Sequence, residues 1–391
     1  MSPCLAIYLP EDKWKLLIND TKRNTMGNRK IKIAYCVSGL AGGVCNVIAN
    51  YMKYMPDDYI VDIITQNITS EKYREMYEKL GFNIILVPSK SESIFRNMHT
   101  LYELMKAQKY DIVHAHMTLT NCFPLFVASL CGIKIRVSHS HMAGKVTIKS
   151  ELLSFLSRKM ATDYFACGKE AGKYLYGNHE FKILNNAIEL DKYYPNDEVR
   201  KCQRKKLGIS EEITVIGHVG RFTYQKNHEK IIDIFEQYNK NNPNSVLLLV
   251  GGGEKYQEIT KMVSERGLGE KVLFTGIIND VYNVIQAMDL FLLPSFYEGL
   301  CLAAVEIQAC GIPCLFSDRV ACETKINDNV DFFSLNDSDD VINKKLNKLL
   351  EMGRLINKTG FVQRGFDIQV EANKLDDFYK RRIKDEYMER T

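Results

Sequence analysis

The chain has 391 residues, too many for one ordinary hydrophobic core, and this length predicts two domains of about 150 to 180 residues each. Hydrophobic residues make up 46% of the sequence and charged residues 26%, which excludes an intrinsically disordered protein. The net charge of +4 is too small to indicate a nucleic-acid-binding protein, and the sequence contains no zinc-finger or RRM pattern.

The eleven cysteines are scattered, mostly inside apolar runs, without a C-x-x-C pair or a His/Cys cluster at zinc spacing. This distribution favours buried free thiols in a reducing compartment. The most apolar segment, Cys122 to Ile133, is shorter than the ~20 residues that a membrane-spanning helix needs. The N-terminus does not show the layout of a signal peptide. We therefore expect a cytoplasmic protein, at most peripheral on the inner face of the cell membrane.

Residues 1–29 do not fit the alternation of strands and helices that follows. They are interpreted either as a loosely attached extension or as sequence ahead of a natural start at Met26, and we prefer the second interpretation.

A buried strand is predicted from Ile31 to Val37, followed by a glycine-rich turn, Ser38 to Gly43, that leads into a helix. The apolar face of this helix comprises Val44, Val47, Ile48, Tyr51, Met52 and Met55. Glycines at a strand-to-helix turn let the backbone approach a ligand closely. The pattern is not G-x-G-x-x-G, so it does not predict a nicotinamide or flavin cofactor.

More apolar runs alternate with helical stretches, which predicts a parallel doubly wound sheet in each half of the chain. The first half has strands at Ile60 to Thr65, Asn83 to Val87, Ile112 to His116, Ile135 to His139 and Asp163 to Ala166. The second half has strands at Thr214 to Val219, Val246 to Val250, Val272 to Phe274, Leu290 to Leu293 and Cys314 to Phe316. An amphipathic helix is predicted from about Gly365 to Met388.

The alternation lapses near Tyr193-Tyr194-Pro195, which we interpret as the interdomain linker. The basic residues that follow are Arg200, Lys201, Arg204, Lys205 and Lys206. We expect them on a solvated helix, with a basic membrane-facing patch as the alternative.

The stretch from Pro294 to Pro313 predicts a strand end, a loop and a helix that Gly311-Ile312-Pro313 stops. Leu302, Val305 and Ala309 define the face of this helix that packs on the sheet. Glu306 borders that apolar face, so its carboxylate needs a hydrogen-bonding partner. Glu298 lies in the loop ahead of the helix N-terminus, where a parallel sheet binds its ligands and a helix dipole favours an anion.

Arg221 and Lys226 lie five positions apart in Gly220-Arg221-Phe222-Thr223-Tyr224-Gln225-Lys226-Asn227, directly after the strand that ends at Val219. Two cations at the carboxyl end of a strand can hold a diphosphate from two sides, the arginine as a fork and the lysine as a point charge. The alternative is an ordinary surface loop.

These two stretches together resemble the signature of family 4 of the retaining GT-B glycosyltransferases: Pro-Ser and Glu-Gly, then a helix with a second glutamate eight residues on, and Gly-Arg-Phe followed by Lys-Asn. The resemblance covers about Ile31 to the C-terminus. It implies a GT-B fold in which two Rossmann-like domains with doubly wound parallel sheets face an interdomain cleft. The implied divisions are an extension (1–29), an acceptor-side domain (30–195), a nucleotide-sugar domain (196–365) and a C-terminal helix crossing back to the first domain (366–391).

The resemblance also implies roles for individual residues. Arg221 and Lys226 would hold the diphosphate, Glu306 the ribose hydroxyls and Glu298 the sugar hydroxyls near the reacting centre. The remaining donor-binding residues implied are Gly276 in the nucleobase loop, Gly299 and Leu300 at the phosphates, and Gly42 and Gly43 against the donor. An acidic residue often follows that glycine pair in the family, whereas Val44-Cys45 stands here.

Four histidines end two adjacent strands of the first half, His114 with His116 and His139 with His141. A lone histidine is usually structural, and a zinc site is conceivable but would lack acidic or cysteine ligands, so no metal site is predicted. The family places one histidine of the Ser-His-Ser-His position beside the donor sugar, which makes His139 the first candidate catalytic residue and His141 the second.

The resemblance therefore implies a metal-independent retaining glycosyltransferase without a cofactor. The donor would be a nucleotide sugar, most readily UDP-linked, and the sugar a hexose or N-acetylhexosamine. The acceptor would be a glycan or lipid-linked glycan in capsule or other surface polysaccharide biosynthesis. Catalysis would use His139, Glu298, Arg221 and Lys226. Two alternatives remain: a UDP-sugar 2-epimerase of the same fold, and a non-catalytic GT-B subunit that binds acceptor or a partner protein.

Overall fold

The computed structural model describes residues 29–142, 144, 146–278 and 280–388, and strands alternate with helices throughout them. The chain separates into two compact units. The first comprises the residues up to Ala187 together with those from Ile368 onward, and the second comprises Ile188–Asp367. Apart from Arg29, the predicted N-terminal extension and the alternative start at Met26 lie outside the described residues.

The first unit is built on a seven-stranded parallel sheet with the strand order β3-β2-β1-β4-β5-β6-β7. Its strands are β1 (Ile31–Cys36), β2 (Tyr59–Thr65), β3 (Asn83–Leu86), β4 (Ile112–Ala115), β5 (Ile135–Ser140), β6 (Asp163–Ala166) and β7 (Lys182–Ile183). Its connecting helices are α1 (Gly42–Tyr54), α2 (Glu71–Lys79), α3 (Ile94–Gln108), α4 (Cys122–Leu130), α5 (Ile148–Met160) and α6 (Lys169–Tyr176).

The second unit has a six-stranded parallel sheet with the order β10-β9-β8-β11-β12-β13. Its strands are β8 (Thr214–Val219), β9 (Ser245–Val250), β10 (Val272–Gly276), β11 (Leu290–Leu293), β12 (Cys314–Ser317) and β13 (Val330–Phe333). Its helices are α7 (Asp197–Lys206), α8 (His228–Asn241), α9 (Tyr256–Glu265), α10 (Val281–Ile285), α11 (Leu302–Ala309), α12 (Asp339–Met352) and α13 (Lys358–Gln363). The predicted strands are confirmed in both units, while β7 and β13 were not predicted.

The last helix, α14 (Ile368–Met388), belongs to the first unit although it follows the second in the chain. It packs against α1 and buries Leu375, Phe378 and Tyr379 in the same core cluster as Ile33 and Tyr35 of β1. The helix thereby covers one face of the first sheet, which α1 alone would leave partly exposed.

The boundary between the units falls at Ile188, earlier than the predicted boundary between residues 195 and 196. Ile188 and Leu190 pack with Val305 of α11 and with Phe361 and Phe366, so this segment joins the core of the second unit. The Tyr193-Tyr194-Pro195 segment therefore lies inside the second unit.

The prediction that the basic residues of α7 lie on a solvated face is wrong for two of them. Arg204 is completely buried, and its Nη2 atom lies 2.6 Å from Asp289 Oδ2. Arg200 Nη2 lies 2.6 Å from the other oxygen of the same carboxylate. Because one aspartate anchors both guanidinium groups, they hold α7 to the start of β11 and do not form an exposed basic patch.

No described helix combines the length and the apolar character that crossing a membrane requires.

Candidate functional site

Both sheets reverse their strand order at one point, between β1 and β4 in the first unit and between β8 and β11 in the second. At such a switch point the chain leaves two neighbouring strands in opposite directions, and a crevice opens at their carboxyl ends. The candidate residues follow these strands directly, so the topology alone brings the loops after β8 and β11 together.

Close backbone contact with a glycine turn fixes the loop after β8. The N–H of Phe222 donates to the carbonyl of Gly252 at 3.0 Å, and the N–H of Lys255 donates to the carbonyl of Phe222 at 3.0 Å. Gly253 has a φ of +155°, and a Cβ there would lie 2.6 Å from the Phe222 carbonyl oxygen. Only glycine fits at this position without displacing the loop that carries Arg221.

Arg221 extends from this loop into solvent, with 76% of its side chain exposed. Its Nη2 atom lies 3.4 Å from the carboxylate of Glu254, which is itself 58% exposed. An ion pair this exposed contributes little free energy. A ligand can therefore bind the Arg221 guanidinium with little loss of free energy from breaking this ion pair.

The loops after β8 and β11 are bonded to each other along their length. The Phe296 N–H donates to the Gln225 carbonyl at 2.9 Å, and Gln225 Nε2 donates to the Tyr297 carbonyl at 2.9 Å. Asn227 adopts the left-handed conformation, with φ of 54°, and its Nδ2 donates to the Pro294 carbonyl at 3.1 Å. Lys226, between these contacts, is thereby held over the start of the β11 loop.

Lys226 forms an ion pair with Glu298, and the two side chains are only 14% and 13% exposed. Burial opposes the charge on Lys226, but the charge of the Glu298 carboxylate and its hydrogen bond outweigh burial and raise the pKa of Lys226 above its usual value. The backbone of Glu298 is also fixed, since it bridges to Val320. The pair joins the two stretches that carry the sequence signature.

Glu306 has the hydrogen-bonding partner that its position requires. The hydroxyl of Tyr193 donates to Glu306 Oε1 at 2.9 Å. Burial raises the pKa of Glu306, while the bond from Tyr193 and the charge of Lys192 oppose that rise. The sequence indicated only that Tyr193 belongs to a linker. Its contact with Glu306 could not be predicted, because the two residues are 113 positions apart in the chain.

Gly299, Leu300 and Gly276 lie where the sequence places them, at the carboxyl ends of β11 and β10. No atom lies within 4 Å of a Cβ built at Gly299, so the backbone there is open to a ligand. Gly276 has a φ of +67°, and its carbonyl accepts a bond from the Gly251 N–H at 3.0 Å. The next residue, Ile277, is 84% exposed.

In the first unit, Gly42 and Gly43 begin α1 directly after the β1 loop, and nothing lies within 4 Å of a Cβ built at either. The Leu40 N–H donates to the Asn67 carbonyl at 3.1 Å, which ties this loop to the end of β2. Cys45, which stands where the family often has an acid, is fully buried. The glycine pair thus presents free backbone at the carboxyl edge of the sheet.

The four histidines of β4 and β5 form one stacked cluster. His139 stacks on His141 with ring centroids 4.2 Å apart, and His116 Nδ1 lies 2.7 Å from His141 Nε2. His114 Nδ1 lies 2.6 Å from the Tyr379 hydroxyl of α14. His139 is 0% exposed, whereas His141, the second candidate, is partly exposed. Of this pair, only His141 has a surface that a ligand can reach in the described conformation.

Ring nitrogens of His114, His116 and His139 lie within 4.8 Å of one another, close enough to ligate one metal ion. His116 Nε2 and His139 Nε2 have no hydrogen-bond partner among the described residues. Burial lowers the pKa of all three imidazoles well below the usual value, so they are neutral at pH 7. Among the described residues, this donor set consists of the three imidazoles alone.

Known proteins are similar to this chain, most clearly in the second unit. Residues 199–366 match the family described as Glycosyl transferases group 1. The putative glycosyltransferase EpsF of Bacillus subtilis is 29% identical over 313 residues, which cover 75% of this chain and 81% of EpsF. The UDP-Gal:alpha-D-GlcNAc-diphosphoundecaprenol alpha-1,3-galactosyltransferase of Escherichia coli is 28% identical over 383 residues, which cover 90% of this chain and 97% of that enzyme.

A solved structure with the same architecture is Anabaena HepE in complex with UDP. Its TM-score is 0.71 at 16% identity, and the match covers 92% of this chain and 98% of HepE. Together with the two parallel doubly wound sheets, this likeness confirms the predicted GT-B fold. The chain therefore has a GT-B fold, and its residues 199–366 are similar to the family described as Glycosyl transferases group 1.

Proposed function

We propose that this protein is a retaining glycosyltransferase that moves a hexose or N-acetylhexosamine from a UDP-sugar to a glycan or lipid-linked glycan acceptor in surface polysaccharide biosynthesis. The observation that carries the proposal is the ion pair between Lys226 and Glu298. In this pair a cation and a carboxylate, both largely buried, lie at the switch point of the second sheet.

The donor diphosphate would bind between Arg221 and Lys226. Lys226 is largely buried and its pKa is raised, so it stays charged at neutral pH, while Arg221 is exposed and weakly paired. Each charge-assisted hydrogen bond contributes about 1.5 to 3 kcal/mol. The two cations could offset the charge that develops on a leaving nucleotide diphosphate, so the proposal includes neither a metal ion nor a cofactor.

Glu306 would accept hydrogen bonds from the ribose hydroxyls, and Tyr193 would orient its carboxylate. Glu298 would bind sugar hydroxyls near the anomeric carbon. The choice of uridine rests on the family resemblance, supported by the UDP bound to HepE and by the UDP-galactose named for the E. coli relative.

In the reaction, the acceptor hydroxyl would attack the anomeric carbon from the face that the diphosphate leaves. The bond from that carbon to the β-phosphate oxygen breaks, the bond to the acceptor oxygen forms, and the β-phosphate oxygen takes the acceptor proton. The anomeric configuration is thereby kept. Arg221 and Lys226 would stabilise the departing diphosphate throughout.

A panel of UDP-, GDP- and ADP-sugars followed by proton NMR tests the proposal. Slow release of one sugar with its anomeric configuration kept is the expected result. A product epimerised at C2 would instead assign the chain to the UDP-sugar 2-epimerases. If no sugar turns over, thermal stabilisation by a nucleotide separates strict acceptor dependence from a non-catalytic binding subunit.

We also propose a peripheral contact with the cytoplasmic face of the membrane, made by α5 and not by α7. Three apolar side chains of α5 are strongly exposed, Ile148 at 93%, Leu152 at 58% and Phe155 at 47%. The neighbouring helix α4 exposes Leu130 at 60%, and Lys159 lies over the Phe155 ring. An apolar face with lysine at its border suits an anionic lipid surface.

Leu152→Glu should reduce sedimentation with vesicles containing anionic lipid, while Lys201→Glu on α7 should not.

A further inference from the structure

Lys90 follows β3 in the loop that leads to α3, and this loop is held firmly. Its own N–H donates to Gln66 Oε1 at 2.9 Å. The buried Asn97 of α3 donates to the Pro88 carbonyl at 2.6 Å. The position of the Lys90 backbone at the carboxyl edge of the first sheet is therefore fixed before any ligand binds.

The Lys90 side chain is half-buried among apolar and sulfur groups. Its Nζ atom lies 4.0 Å from Met117 Sδ and 5.6 Å from the centre of the Phe123 ring. Met117 follows β4 and Phe123 begins α4, so the ammonium group lies where the loops of three neighbouring elements converge. This location is the switch-point side of the first sheet, where the β1 loop also ends.

The ammonium group has no carboxylate partner among the described ion pairs and hydrogen bonds. The acidic groups that bear on its charge are the thiols of Cys36 and Cys122. Burial raises the pKa of Cys36 to about 12 and also raises that of Cys122, so neither supplies a negative charge at neutral pH. Burial lowers the pKa of Lys90 itself to about 8, as expected for a cation that lacks a counter-ion.

We propose that Lys90 binds an oxyanion of the acceptor, a phosphate or diphosphate ester that links the acceptor sugar to its carrier. This proposal rests on the proposed function, because it takes the acceptor to be a glycan and adds that this glycan is anionic. Lysine binds phosphate as a compact point charge, and a pre-positioned, poorly solvated ammonium loses little hydration on binding.

The charge of Lys90 is not needed for the donor. Arg221 and Lys226 in the second unit already provide two cations for the donor diphosphate. Lys90 is a further cation, in the first unit, and it has no counter-ion among the described residues. We therefore expect it to bind a second anion, distinct from the donor diphosphate.

The test compares two synthetic acceptors that differ only in charge, N-acetylglucosamine on an octyl diphosphate and neutral octyl N-acetylglucosaminide. The wild-type protein should prefer the diphosphate in kcat/KM by at least about tenfold, the effect of one charge-assisted hydrogen bond. Lys90→Met should lose that preference while keeping its rate with the neutral acceptor, and Lys90→Arg should restore part of it. Lys79→Met, which removes an exposed lysine of the same unit, is the matched control.

A second measurement does not need turnover. With the nucleotide site saturated by UDP, calorimetric titration of inorganic pyrophosphate should show binding to the wild-type chain and to Lys79→Met, but not to Lys90→Met. If Lys90→Met keeps the preference for the diphosphate acceptor, the proposal is overturned. If pyrophosphate binding depends on Lys90 but the acceptor preference does not, the site takes a free anion and the acceptor assignment is wrong. If no sugar is transferred to any acceptor, the proposed function fails, and the pyrophosphate titration still decides whether Lys90 binds an oxyanion.

Discussion

Lys226 and Glu298 form an ion pair across the switch point of the second sheet, although 72 positions separate them in the chain. Lys226→Met should leave a buried carboxylate without a partner and destabilise the protein by about 3 kcal/mol. The same change should lower kcat/KM at least 100-fold, because the leaving diphosphate loses a cation.

Lys226→Met/Glu298→Gln separates these two effects. The double variant removes the unpaired charge, so its midpoint of urea unfolding should return towards that of the wild type, while transfer stays lost. Full activity in Lys226→Met would refute the assignment of Lys226 to the diphosphate.

Tyr193→Phe removes the hydroxyl that donates to Glu306 and leaves the aromatic packing in place. Without that bond the pKa of Glu306 should rise further, because burial then acts with less opposition. We expect UDP to bind about five- to tenfold more weakly, the loss of one ordinary hydrogen bond that orients the carboxylate. Calorimetry with inorganic pyrophosphate is the control, since it has no ribose. An equal loss for pyrophosphate would mean that Glu306 does not act through the ribose.

Gly253→Ala should weaken donor binding through the backbone alone. Its Cβ would lie 2.6 Å from the Phe222 carbonyl oxygen, and its φ of +155° is unfavourable for alanine. The loop must move, and Arg221 moves with it. Gly252→Ala is the matched control, since its Cβ would contact only the side chain of the exposed Ile277. Equal UDP affinities for the two variants would show that the position of the Arg221 loop does not matter for the donor.

The buried histidine cluster should make stability fall in acid. Burial lowers the pKa of His141 to about 4, and it also lowers the pKa of His114, His116 and His139 well below the ordinary value of about 6.5. Between about pH 6.5 and 4 the unfolded chain therefore binds more protons than the folded chain. The free energy of unfolding should drop as pH falls through this window, by at most about 1.4 kcal/mol per pH unit for each imidazole.

Urea titrations at pH 7, 6 and 5 measure this slope. His141→Asn should reduce the slope, while the exposed His99 gives the control variant His99→Asn, which should keep it. A slope unaffected by His141→Asn would show that the cluster is not what makes the fold acid-sensitive.

Much of the fold could be predicted from the sequence, because buried parallel strands read as continuous apolar runs with glycines and prolines at their ends. Leu290–Leu293 and the helix that begins at Leu302 are examples. The short β7 and the strand β13 were missed, since β7 has only two residues and the β13 sequence, Val-Asp-Phe-Phe, is interrupted by a charge.

The positions of the loops that carry Arg221 and Glu298 could be predicted, because a local motif follows a buried strand in each case. A contact was not predictable where the partner is distant in the chain. Tyr193 looked like a linker residue and Arg204 like a solvated one, because a sequence does not show that Glu306 and Asp289 lie beside them. The roles assigned to all of the candidate site residues, from Gly42 and His139 to Arg221, Lys226, Glu298 and Glu306, remain predictions.

The return of α14 to the first unit has a consequence for synthesis. The ribosome releases β1 to β7 first, but Phe378 and Tyr379, which complete the core beside them, are made last. The second unit is a continuous segment, so it can fold before α14 has been made. Until then the first unit exposes the apolar face that α14 covers, and His114 lacks its contact with Tyr379. Expression of residues 1–187 alone should therefore give insoluble protein, whereas joining residues 368–391 to them through a short linker should restore solubility.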